Sequence, residues 1–101
     1  MAPLVLRIAP QDAWRVTRRT VFALPRTRLV EETDAYLHVE TRSAVFRFAD
    51  DLEVLLRPLS GQIAVRSALR MGYGDLGANR RRVGRLRATL AELGVVESPA
   101  P

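Results

Sequence analysis

The chain has 101 residues, 48% apolar and 27% charged, with no cysteine and a formal net charge of +5. That length suits one hydrophobic core rather than two, and that apolar share excludes global disorder. No disulfide framework and no thiolate chemistry is open to it, and no apolar run reaches the roughly 20 residues that span a bilayer.

The opening MAPLVLRIAP lacks a basic n-region and a small-residue cleavage site, so no signal peptide is expected and a cytoplasmic location is. All 16 basic side chains are arginine. They are unevenly placed: residues 1–30 carry six Arg against Asp12, residues 31–63 three Arg against seven acids, and residues 64–101 seven Arg against three acids. Such a basic–acidic–basic chain neutralises itself on folding, which disfavours nucleic acid as a partner.

Residues 1–9 read as an extended arm or short edge strand. Pro10 suits a first helical position and Asp12 sits where the helix dipole favours an acid. A helix is expected from there to Leu24, with Ala13, Val16, Thr20 and Leu24 as its stripe, widened by Trp14 and Val21, and Pro25 as its stop. Thr27 to Glu32 reads as a strand, Thr33-Asp34 as a tight turn, and Ala35 to Arg42 as a second strand with alternating faces. Ser43 to Ala49 reads as extended, Asp50-Asp51 as punctuation, and Leu52 to Arg57 as the next strand. Pro58 to Gly61 is a turn in which Gly61 is free to take positive φ. The last strand sets Ile63, Val65 and Leu69 against Arg66 and Arg70.

A final helix from about Leu76 to Leu93 carries the stripe Val83, Leu86, Leu90 and Leu93, stops at Gly94, and leaves 95–101 as a loose tail. Strands with one apolar face need a covering layer on one side only. The expected fold is therefore α+β: a single-domain two-layer sandwich, with an antiparallel meander of about four strands and both helices on one face.

Chemistry concentrates between Arg66 and Arg82. Gly72, Gly74 and Gly77 lie within six residues, and Asn79-Arg80-Arg81-Arg82 opens a helix. Positive side chains there oppose the helix dipole unless an anion or carboxylate meets them. The run GYGDLG is no Walker sequence, and the βαβ context of a dinucleotide site is missing. On the helical wheel only Asn79 and Arg82 lie towards the apolar stripe, while Arg81 and Arg85 point to solvent. A desolvated guanidinium needs a partner, and Asp50, Asp51 and Asp75 are the candidates. Two readings stay open. One is a structural Arg–Asp lock of Asp50, Asp51 and Arg82. The other is an anion site of Asn79, Arg82, Arg70, Arg66 and Asp75 at a helix N-terminus.

No catalytic residue is assigned. His38, on the polar face beside Tyr36 and Glu40, is the only base of the usual kind, and no cluster has metal-ligand spacing. No cofactor is expected.

The segment FADDLEVLLRPLSGQIAVRSALRMGYGDLGANRRRVGRL, Phe48 to Leu86, resembles the bacterial and plastid domain of unknown function 1499 family. The resemblance rests on Phe48, Asp50, Asp51 and Glu53, then on Arg66, Ser67, Arg70, Gly72, Asp75, Leu76, Gly77 and Asn79 to Arg82. Leu69 and Gly74 stand where the family commonly has serine. The resemblance implies no activity. It implies that Asp50, Asp51 and the Arg66–Arg82 stretch belong to one constellation.

The function expected first is non-catalytic binding of a small anion or an acidic protein surface at the glycine loop and helix start, with no membrane partner. The alternatives are an enzyme using Asp50 or Asp51 with Arg82 on a phosphorylated or carboxylated substrate, and a structural or assembly protein with an internal Arg–Asp network. The chain is expected as a monomer or homodimer.

Overall fold

The computed structural model describes residues 1–42, 49–69 and 76–98, with side chains for all of these but 69 and 76–79. The order is β1 (Leu4–Val5), α1 (Pro10–Phe22), β2 (Thr27–Glu32), β3 (Tyr36–Arg42), β4 (Ala49–Arg57), β5 (Gln62–Leu69) and α2 (Leu76–Glu92). The strands form one antiparallel sheet in the order β1-β5-β4-β3-β2. The fold is the expected α+β arrangement, with five strands rather than four because Leu4–Val5 joins the edge beside β5.

Period-two alternation sorts the sheet into two faces. Leu37, Val39, Leu52, Val54, Leu56, Ile63 and Val65 point to the core, which Trp14 and Val21 of α1 and Val83, Leu86 and Leu90 of α2 complete. Around α1 the buried positions are Ala13, Trp14, Thr17 and Val21. Thr17 thus replaces the expected Thr20, whose hydroxyl bonds back to the Val16 carbonyl at 2.8 Å. On α2 the stripe ends at Leu90. Leu93 is 60% exposed because the helix stops at Glu92 and the chain turns through Gly94 at φ 77°.

Two further expectations are corrected. Asp50-Asp51 does not break the strand, since both residues lie in the β4 ladder opposite Thr41 and Glu40. Aspartate is poor in strands, but each of these has a cross-element partner. The tail is not loose at its start. Val95 and Val96 are buried, Val96 bridges Leu6, and hydrogen bonds join Arg7 N–H to Val95 O and Glu97 N–H to Val5 O, each at 2.9 Å. Burial of two valines repays the cost of ordering this segment. The expected extended stretch Ser43 to Ala49 lies outside the described residues except for Ala49.

Candidate functional site

The polar groups singled out from the sequence divide between the two faces of the sheet. On the helix side, alternation along β4 turns Asp50 inward with Leu52 and Val54. The helical repeat of α2 places Arg82 one residue ahead of Val83, at the margin of the apolar stripe. The two meet: Arg82 Nη1 donates to Asp50 Oδ2 at 2.8 Å, with side-chain exposures of 13% and 4%. Thr41 is the cross-strand neighbour of Asp50 and is fully buried. Asp50 Oδ1 and Thr41 Oγ1 are both buried with no hydrogen-bond partner among the described residues. Asp50 Oδ1 can only accept and so calls for a donor, whereas the Thr41 hydroxyl can donate or accept.

Helix α2 begins at Leu76, so Arg80, Arg81 and Arg82 stand about one turn inside it. The dipole conflict expected from the sequence is correspondingly smaller, because that field fades within the first turn. Arg81 and Arg85 are exposed, as the wheel requires, and so is Arg80.

Asp51 points to the opposite face. There its Oδ1 accepts from His38 Nε2 at 2.8 Å, with both side chains about one-fifth exposed. Asp51 thus stands across the sheet from the Arg82 pair, since adjacent strand residues face opposite ways. Arg66 is likewise on the outer face, where Nη1 donates to Glu53 Oε2 at 3.3 Å. It does not converge with Arg82. Arg70 and Asp75 lie outside the described residues, as does the side chain of Asn79.

The outer face carries a second polar group that the sequence reading underrated. Glu40 is 1% exposed although it sits on the polar side of β3. It accepts from Arg28 Nη2 at 3.1 Å and from Arg42 Nε at 2.9 Å. Both arginines are mainly solvated, with side chains 71% and 55% exposed, so the pair arrangement places one buried anion between two wet cations. Alternation alone marks Glu40 as outward, and only the cross-strand register shows that Arg28 lies opposite it.

Further along the same face, the Tyr36 hydroxyl donates to Glu53 Oε1. Burial, then the hydrogen bond to Glu53 and the negative charges of Glu53 and Glu31, push the Tyr36 phenol up to about 12. A shallow depression of about 180 Å³ beside it is lined by Glu53, Leu55, Ala64, Val65 and Arg66. Among the described residues no group of three or more His, Asp or Glu side chains is arranged to hold a metal ion. On the helix side, Arg18 of α1 binds the Glu32 carboxylate of β2, which holds that carboxyl below its ordinary range.

This chain belongs to the family described as protein of unknown function (DUF1499), whose model matches residues 1–90. That span takes in the whole sheet, α1 and α2 through Leu90. No curated protein and no solved structure matches the chain.

Proposed function

We propose that this domain performs no chemistry of its own and serves as a structural or assembly module, in which Arg82 and Asp50 lock α2 to the sheet. One observation carries this reading: the Arg82 guanidinium ends on an internal carboxylate in a mostly buried pair. A guanidinium so engaged is less available to an outside anion. Beside it Asp50 Oδ1, unpaired among the described residues, would take a donor and repel an anion. The enzyme alternative receives less support, because Asp50 is committed to Arg82 and Asp51 to His38 on the far face.

Anion binding keeps one supporting observation, the exposure of Arg80 and Arg81 near the start of α2. The experiment that separates the two readings is a thermal melt of the wild type and of Arg82→Ala in increasing inorganic phosphate. For a lock, Arg82→Ala lowers the melting temperature in every buffer, and phosphate leaves the wild type where it was beyond the small general effect of an excluded salt. An anion site is favoured instead if low concentrations of phosphate raise the wild-type melting temperature and Arg82→Ala abolishes that rise.

A further inference from the structure

The two edges of the sheet are treated differently. At one edge, β1 is followed by the segment around Val96, whose hydrogen bonds to Val5 and Arg7 cover it. At the other, β2 pairs among the described residues only with β3, and five of its six residues are exposed. Two of those are large and apolar, Leu29 at 46% and Val30 at 44%. An uncovered strand edge presents unpaired N–H and C=O groups and is a template for a further strand.

We propose that β2 is the interface of a homodimer, pairing antiparallel with β2 of a second copy of this chain; this deepens the assembly reading above and rests on it. The sequence Thr-Arg-Leu-Val-Glu-Glu complements itself when read against its own reverse. With the two-fold axis between Leu29 and Val30, Arg28 lies opposite Glu31 of the second copy, and Thr27 lies opposite Glu32 of the second copy. Leu29 then faces Val30 of the second copy. Every charge-bearing pair is made twice by the symmetry, as an isologous interface demands.

The monomer leaves these groups ready. Arg28 is 71% exposed and spends one nitrogen on Glu40, leaving further guanidinium donors for a second carboxylate. Glu31 is exposed and makes no ion pair among the described residues.

The backbone phase agrees. Arg42 N–H bonds to Arg26 O at 3.1 Å at one end of the β2–β3 ladder, and Thr33 N–H bonds to Tyr36 O at 2.8 Å at the other. Counting by two from each end, the peptide groups of Thr27, Leu29 and Glu32 turn away from β3 towards the open edge. Thr27 and Glu32 are the residues that the proposed register sets opposite one another. The ladder irregularity between Leu29 and Glu31 is what brings both onto that edge, because it shifts the phase by one residue.

The test is sedimentation equilibrium from about 1 µM to about 1 mM, a range suited to a small interface. A mass that doubles within that range, with a dissociation constant that rises with salt, is the expected result. Glu31→Arg places like charges opposite each other twice and raises that constant at least about tenfold. Leu29→Pro removes an N–H that points outward and leaves the ladder to β3 intact, with a similar loss. If Leu29→Pro fails to fold, Glu31→Arg, on an exposed side chain, still decides.

Because the chain has no cysteine, Val30→Cys gives one thiol per copy, and a short bismaleimide joins the copies in the wild-type background but not with Glu31→Arg present. A monomer across the whole range overturns the proposal, and so does a dimer that Glu31→Arg leaves intact. Failure here is separable from failure of the lock, since mass reports the edge and the phosphate melts report Arg82.

Discussion

Two carboxylates buried among the described residues illustrate how burial of the partner sets the value of an ion pair. Asp50 and Arg82 are both mostly buried, so Arg82→Ala strands a carboxylate among apolar side chains. A loss of about 3–5 kcal/mol is expected in urea denaturation. Glu40 is as deeply buried, but Arg28 and Arg42 are solvated. Glu40→Gln therefore leaves neither of these two cations buried and unpaired, and a smaller loss, about 1 kcal/mol, is expected by the same measurement.

Tyr36 offers a pH test at the same scale. Its phenol is raised to about 12 in the folded chain, so the folded state holds that proton more tightly than the unfolded state. The resulting stability is complete below the unfolded value of about 10 and is lost as pH rises towards 12. Absorbance titration should show Tyr36 ionising late, and Glu53→Gln should bring it earlier.

Among the elements, glycine placement was legible and strand continuity was not. Gly61 has φ 62° and Gly94 has φ 77°, and a Cβ built on either meets nothing within 4 Å. The penalty for alanine is therefore conformational rather than steric. Each of Gly61→Ala and Gly94→Ala should cost about 1 kcal/mol, read as a lowered midpoint with an unchanged denaturant slope. By contrast, Asp50-Asp51 looked like a strand break because aspartate avoids strands. The break is absent since Arg82 arrives from 32 positions along the chain to meet one carboxylate and His38 crosses from β3 to meet the other. Local propensity contains neither partner.

For the molecule as a whole, the C-terminal segment is part of the architecture. Val95 and Val96 are 2% and 1% exposed and close the sheet beside β1. Truncation after Gly94 removes both and uncovers Leu4 and Leu6. We expect a loss of about 3 kcal/mol, taking roughly 1.5 kcal/mol for each buried valine, visible as a fall in melting temperature. The same truncation opens a second sheet edge, so light scattering should detect aggregation that the full chain does not show.

Periodicity and punctuation determined much of this protein from its sequence: two helices, the main strands, their inward faces, and the selection of Arg82 over its arginine neighbours. These are short-range properties, set by 3.6-residue and two-residue repeats that any window of the chain displays. Only the tertiary structure decided which carboxylate Arg82 meets, and that Asp51 and Arg66 lie on the other face. It also decided that Glu40 is buried and that one sheet edge is covered while the other is open. Each of those depends on strand order and register, which are settled by the packing of the whole core and are written in no single segment.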